Sequence, residues 1–268
     1  MYAGTTFRRS SGRIVGVHQR IDRVARRSLN LLIKKSHGFP GIMNILHFEG
    51  KNGPDGLKLK RATSDIPWHF IDPTNPNDRL LILMINDHIY NLAHSLSSRD
   101  SIRAAFEAAW LAHAITDGLT PAHLYSLDCK IEKLFGKPQH ELQGITAKKT
   151  IHGINRRDTI AKNWEYWGAG GVVFSHLMFE LSVASVIASE KYKIIKPSSM
   201  DIERLKNEGF EKLFTESVQK IHSLRVYETY IKGGVTIELA NTIKHVVMPE
   251  IINCVVLAWY YAILSAKI

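Results

Sequence analysis

The sequence predicts an all-α protein, folded as a single compact multi-helix domain over residues 1–268. Almost every apolar segment repeats with the spacing of an amphipathic helix, whereas alternating strand patterns joined by hairpin turns are hard to find. With 268 residues, 45% of them hydrophobic, the chain can bury a core large enough for one big domain, although two small domains are possible. We therefore expect one helical domain.

Charge and cysteine content narrow the class of protein. The formal net charge is +10 and the sequence pI is about 9.5, which favours an anionic partner such as a phospholipid headgroup, a nucleic acid or another phosphate ester. Two cysteines, Cys129 and Cys254, exclude a disulfide framework and a cysteine-rich zinc site. No apolar stretch of signal-peptide length follows the first arginines, so we expect a cytoplasmic or an already processed chain.

The first helix is predicted over residues 15–35, and one of its faces is basic. Arginines on that face indicate either a solvated surface or attraction to an anionic one. A short helix is expected over residues 41–48, and the glycine-rich turn at residues 50–56 places Asp55 on a loop. The predicted apolar stripe of the first helix comprises Val17, Ile21, Val24, Ala25, Leu29, Leu32 and Ile33.

Prolines shape the next segment, in which Pro67 and Pro73 hold His69 in extended or turn geometry. A helix is predicted from residue 79 to 97. Asp100 then caps a helix that ends near Gly118, and the next helix begins at residues 120–121.

The segment from residue 136 to 163 is polar and basic with weak periodicity, so we interpret it as an inserted loop or lid. It either contacts a phosphate-bearing substrate or is a plain surface insertion. Helices are predicted over residues 172–189 and 201–222, and a final helical region is bent at Pro249. Its apolar run at residues 251–266 is shorter than the roughly 20 residues that span a bilayer, which favours a buried closing helix over a membrane anchor.

Two pairs of side chains at helical spacing could carry chemistry. His113 and Asp117 are four residues apart, as are His176 and Glu180, so the members of each pair point the same way. Burying such groups in apolar helices is costly unless a partner neutralises them. Either pair alone is more often a hydrogen bond than a metal site, but together, with His123 close behind, they favour a zinc-compatible set.

The ordered motifs resemble the zinc-dependent phospholipase C and single-strand nuclease superfamily. They are His113-x3-Asp117-x5-His123, the later His176-x3-Glu180, and the earlier run Trp-His69-Phe-Ile-Asp-Pro. His18 resembles the histidine ligand that begins the first helix of the family. Asp55, fourteen residues before His69, falls where the phospholipase C branch has an acidic ligand. The resemblance covers roughly residues 13–264.

This resemblance implies two or three zinc ions in a cleft between helices. Asp117 would bridge two ions, one of them also bound by His18. Such ions activate a water and neutralise a phosphodiester. The resemblance makes Asp55 the candidate general base, with Glu180 as a competitor. The second of the two ions bridged by Asp117 would be bound by Asp55, His69, His113 and Asp117. A further ion would be bound by His123, His176 and Glu180.

The implied function is that of a metal-dependent phosphodiesterase. A phospholipase C-like activity is preferred over a single-strand nuclease because the nuclease branch usually has aspartate where this chain has Glu180. The alternatives are a non-catalytic, zinc-stabilised protein that binds anionic membranes or nucleic acid, and a plain helical domain without metal.

Two departures from the family stand out. Secreted members complete one zinc site with the amino group and carbonyl of an N-terminal tryptophan, whereas this chain begins Met-Tyr-Ala-Gly. This difference leaves the occupancy of the His18 site open. In addition, His123 and His176 are 53 residues apart, a longer spacing than the family suggests, and the basic segment fills it.

Overall fold

The computed structural model describes residue 1 and residues 16–33, 38–56, 70–125, 151–168 and 171–266. Every regular element in these ranges is helical, which confirms the predicted all-α class. The α-helices are α1 (Val17–Leu29), α2 (Ile42–His47), α3 (Leu80–Ser97), α4 (Ser101–Gly118), α5 (Arg156–Trp167), α6 (Val172–Ile187), α7 (Ser199–Glu208), α8 (Phe210–Ser223), α9 (Val226–Gly233), α10 (Ile237–Thr242) and α11 (Met248–Ser265). Two 3-10 turns, Gly50–Asn52 and Pro121–Leu124, and a π-helical turn, Ile243–Val247, lie between them.

The core is built around α11, which packs against α1, α3, α4 and α8. Trp259 on α11 is fully buried, and its indole N–H donates to the carbonyl oxygen of Ala108 on α4 at 2.9 Å. The helices α3 and α4 form an antiparallel pair, and Asp100 caps α4 as predicted, by accepting the backbone N–H of Arg103 at 2.9 Å. These contacts fix α4, which carries His113 and Asp117.

The helical run Ile237–Ser265 is long and apolar enough to cross a membrane by length and composition alone. However, 67% of its most apolar stretch is buried inside the protein. A core helix satisfies the same criterion, and the contacts of α11 with α1, α3 and α4 are those of a core helix. The closing helix predicted at residues 251–266 is thus present and buried.

Two predicted helices differ from the observed ones. The helix α1 ends at Leu29, because the N–H groups of Leu31 and Leu32 turn back to carbonyls only three residues earlier. The single helix predicted over residues 201–222 is two helices, α7 and α8. They are separated by Gly209, whose φ of +80° lies in a region that favours glycine.

The bend predicted at Pro249 takes the form of the π-helical turn Ile243–Val247 directly before it. Proline lacks an N–H and its ring crowds the carbonyl four residues back, so a widened turn relieves that contact. Asp55, expected on a loop, instead lies in helical backbone that begins at Pro54, with residues 54–56 the part of it that the structure describes.

The basic segment also differs from its prediction as a loop. Residues 156–163 belong to α5, which Asn155 caps by accepting the backbone N–H of Asp158 at 3.0 Å. Residues 136–150 lie outside the described residues.

The arginine face of α1 is partly engaged in backbone contacts. Arg20 donates to the carbonyl oxygens of Ala188 at 2.9 Å and Glu190 at 3.1 Å, just past the end of α6. Cations stabilise helix C-termini, where carbonyl groups lack partners. Arg20 therefore joins α1, which carries His18, to α6, which carries His176 and Glu180.

Candidate metal centre

Six of the eight predicted ligands lie in two groups that could hold a metal ion. Within each group the possible ligand atoms lie within 4.8 Å of one another. The first group is His18, His113 and Asp117, and the second is His123, His176 and Glu180. They are supplied by α1, α4, the Pro121–Leu124 turn and α6. Four separate elements therefore converge on one region of the protein.

A glycine at the end of α4 separates His123 from the first group. A Cβ on Gly118 would lie 2.6 Å from Leu81 Cδ2 and 2.8 Å from Phe214 Cζ, so a side chain here would displace the side chains of α3 and α8 that pack against the helix end. The chain then turns, and Pro121 begins the 3-10 turn that carries His123. This break directs His123 toward α6 rather than along α4.

Asp117 faces both histidines of the first group with different oxygens. Its Oδ2 lies 3.2 Å from His113 Nε2, and its Oδ1 lies 3.3 Å from His18 Nε2. The two imidazoles stack at 4.2 Å between ring centroids with an interplanar angle of 16°. A carboxylate with one oxygen toward each of two imidazoles has the geometry of a bridging ligand.

Main-chain atoms of Met1 also reach this group. The α-amino nitrogen lies 2.8 Å from Asp117 Oδ1, and the carbonyl oxygen lies 2.7 Å from His18 Nε2. Burial disfavours the protonated form of the amino group. The negative charges of Asp117 and Glu180 have the larger effect, so the pKa of the amino group is raised above its usual value. These contacts use atoms that every amino acid carries, so the absence of an N-terminal tryptophan does not remove them.

The second group forms a nearly equilateral triangle of ligand atoms. His123 Nε2 lies 3.1 Å from His176 Nε2 and 3.2 Å from Glu180 Oε1, and His176 Nε2 lies 3.2 Å from the same oxygen. In a tetrahedral zinc site with bonds of about 2.0–2.1 Å, ligand atoms are separated by about 3.3 Å. The triangle therefore matches three corners of such a site.

The protonation of this group also suits a metal. Burial lowers the pKa of His123 to about 3, helped by the Met1 ammonium and His176 and opposed by Asp117. Burial works against the charge of Glu180, but the Met1 ammonium, His123 and His176 hold its pKa well below the usual value. A neutral imidazole and an ionised carboxylate are the forms that bind zinc.

His113 has one ring nitrogen paired with a carboxylate and the other facing two carboxylates. Its Nδ1 lies 3.0 Å from Glu49 Oε1, so the Nδ1–H can donate to that carboxylate. Its Nε2 is buried without a well-directed hydrogen bond, 3.2 Å from Asp117 Oδ2 and 3.8 Å from Asp55 Oδ1. Burial disfavours a charged imidazole, yet Glu49, Asp117 and Asp55 raise the pKa of His113 well above its usual value. The carboxylates around Nε2 therefore favour a proton or a metal ion at this nitrogen.

Glu49 is a part of the site that the sequence prediction missed. It is only 3% exposed, and its contact with His113 Nδ1 is the carboxylate–histidine arrangement that orients metal ligands. Asp22 on α1 is also buried, and burial together with the charge of Glu49 raises the pKa of Asp22 well above its usual value. Glu49 stands alone in the sequence, 64 residues from its partner, so no local spacing could reveal it.

We expect Glu49→Gln to weaken metal binding by about 10- to 100-fold, because loss of the partner charge reduces the basicity of His113. Isothermal titration of the metal-stripped protein measures this change. Glu107→Gln is the matched control, since Glu107 is a buried carboxylate on α4 that pairs with His88 Nδ1 at 2.6 Å, outside the two groups. If Glu49→Gln binds the metal as tightly as Glu107→Gln does, then Glu49 does not orient the site.

Asp55 and Phe70 line the pocket that opens onto both groups. The pocket has a volume of about 150 Å³, and its lining includes the whole second group and Asp117 of the first group. The Phe70 ring centroid lies 5.0 Å from that of His123 and 6.0 Å from that of His176, so this aromatic forms a wall of the pocket. The eighth predicted ligand, His69, lies outside the described residues. The lining residues are Met1, Asp55, Phe70, Asp117, His123, His176 and Glu180.

Comparison with protein-family models, with curated proteins and with solved structures finds no match to this chain. Its function is therefore inferred from the side chains themselves.

Proposed function

We propose that this protein is a zinc-dependent phosphodiesterase of the phospholipase C type, with two or three ions held by the two ligand groups. The observation that carries the proposal is that one pocket is lined by the whole second group and by Asp117 of the first group. A structural zinc needs four ligands and a closed shell, whereas catalytic zinc keeps an open position. Two incomplete groups beside a pocket favour the catalytic arrangement.

The fold type that we propose is that of the zinc-dependent phospholipase C and single-strand nuclease superfamily. Support comes from the helical scaffold and from the order in which the ligands follow along the chain.

When bound, zinc would polarise the phosphodiester and make a neighbouring water more acidic. His18, His113 and Asp117 would hold the ions of the first group, with Asp117 shared between the ion on the His18 side and the ion on the His113 side, and Asp55 lies beside them. The Asp55 side chain is 24% exposed and lines the pocket, so it can accept a proton from a water that attacks phosphorus. Glu180 is held in its ionised form by its neighbours and fits the role of a ligand better than that of a base.

The substrate class that we propose is an anionic phosphodiester, with phospholipid preferred over single-stranded nucleic acid. The formal charge of +10 suits both. Glu180 favours the phospholipase branch of the superfamily.

Hydrolysis assays test this function directly. The zinc-loaded protein is expected to hydrolyse bis(4-nitrophenyl) phosphate and phosphatidylcholine vesicles, with single-stranded DNA as the comparison. His113→Ala is expected to lower the rate by about 10³-fold or more, because loss of an ion removes several kcal/mol of charge stabilisation. His88→Ala, a histidine that pairs with Glu107 outside the groups, should stay near the wild-type rate. A folded, zinc-loaded protein that cleaves none of the three substrates would favour the non-catalytic alternative.

A further inference from the structure

Exposed apolar side chains are concentrated on α5, on α6 and in the loop before α5. Nineteen large apolar side chains are exposed among the described residues, and seven of them lie between residues 154 and 178. Large apolar side chains that cluster at the surface mark interaction sites, whereas scattered ones are ordinary. The seven are Ile154, Ile160, Trp164, Trp167, Phe174, Leu177 and Met178.

One exposed row runs along α5. Ile160, Trp164 and Trp167 follow at intervals of four and three residues, so they share one face of the helix. They are 66%, 70% and 44% exposed. Arg156 and Arg157 are exposed in the first turn of the same helix. At a membrane interface, tryptophan and aliphatic side chains enter the acyl boundary while arginine side chains attract anionic headgroups.

A second exposed row lies on α6, the helix that carries His176 and Glu180. Its members Phe174, Leu177 and Met178 are 38%, 46% and 36% exposed. A helix that is apolar on all sides is normally buried on all sides. The outer side of α6 is therefore an apolar surface on the same helix that supplies the second metal group.

We propose that these seven side chains, with Arg156 and Arg157, form an interfacial surface that docks on a bilayer containing anionic headgroups. The inference rests on the proposed function, because it identifies the bilayer as the source of the phosphodiester. The surface and the second ligand group share α6, which carries the exposed row on its outer side and supplies His176 and Glu180.

Charge and side-chain type select this occupant over two others. A second copy of the chain would bring identical arginines and a further charge of +10 to the surface, which opposes self-association. Single-stranded nucleic acid would stack on Trp164 and Trp167 but offers nothing apolar for the branched side chains of Ile154 and Ile160. A bilayer offers hydrocarbon to the apolar side chains and anionic headgroups to the arginines.

Vesicle sedimentation tests the surface separately from catalysis. The whole chain is mixed with sucrose-loaded vesicles of phosphatidylcholine and phosphatidylglycerol (7:3), or of phosphatidylcholine alone, and hydrolysis of bis(4-nitrophenyl) phosphate is measured in parallel. We expect the double variant Ile160→Gln/Trp164→Gln to bind the mixed vesicles at least about tenfold more weakly, because two apolar side chains lose their burial. Arg156→Gln/Arg157→Gln should lose the preference for the anionic vesicles. All variants should hydrolyse the soluble diester at the wild-type rate.

Ile102→Gln is the matched control, since Ile102 is 71% exposed at the start of α4, away from α5 and α6. It should bind vesicles like the wild type. Equal binding by the wild type and the Ile160/Trp164 variant would overturn the proposal, as would hydrolysis of the soluble diester with no vesicle binding. Ultracentrifugation showing a dimer that the same variant dissociates would also overturn it, as would an oligonucleotide complex lost in that variant. Vesicle binding without any hydrolysis would uphold the surface and contradict only the proposed function.

Discussion

Asp117→Ala is expected to remove two metal ions together and to lower phosphodiesterase activity by about 10³-fold or more, because each lost ion removes several kcal/mol of transition-state stabilisation. The reason is that Oδ1 and Oδ2 of this carboxylate face different histidines, His18 and His113. Truncating a ligand of the second group has a narrower effect. His123→Ala is expected to release only the ion of its own group. Metal analysis of the three purified proteins measures the difference.

Folding must be separated from ligation in this comparison, because Asp117 is buried and also contacts the Met1 amino group. Asp117→Asn keeps the shape and one oxygen while it removes the charge, and circular dichroism establishes whether each variant retains its helices. Asp117 would not be a bridging ligand if well-folded Asp117→Ala and His123→Ala proteins lost the same number of ions.

Asp55→Asn is expected to lower kcat by about 10²- to 10⁴-fold, the usual contribution of a general base. The amide has nearly the same size as the carboxylate but cannot accept the proton of the attacking water. Asp55 is the more exposed acid of the pocket, with 24% of its side chain accessible compared with 15% for Glu180. Steady-state kinetics on bis(4-nitrophenyl) phosphate at saturating zinc give kcat and KM separately.

The pH profile distinguishes a base from a ligand at this position. A base contributes the acidic limb of the rate profile, so Asp55→Asn should flatten that limb while the zinc content stays at the wild-type value. Loss of an ion together with activity would assign Asp55 to ligation. An unchanged kcat would exclude both roles.

The part of the site that could be predicted from the sequence is the part encoded by local spacing. His113 with Asp117, and His176 with Glu180, are single-turn pairs, and a helix places such pairs on one face whatever surrounds it. The grouping of His123 with His176 and Glu180 was implied by the family resemblance rather than by spacing. The all-α class followed in the same way from helical periodicity.

The rest of the site depends on distant contacts that local spacing does not encode. Glu49 reaches His113 from another part of the chain, and Met1 contributes main-chain atoms, which have no residue-type signal at all. The predicted helix ends were also wrong where a single residue determines the backbone conformation. Gly209 divides a predicted helix because its positive φ interrupts an otherwise continuous amphipathic pattern.

Metal analysis of the wild-type protein, purified without chelators, is the most direct measurement of the metal centre. We expect two or three zinc ions per chain, which a zinc chelator removes with loss of phosphodiesterase activity and zinc restores. A fully helical, folded protein that contains no metal and takes up none from a zinc solution would contradict the proposed centre and the function derived from it.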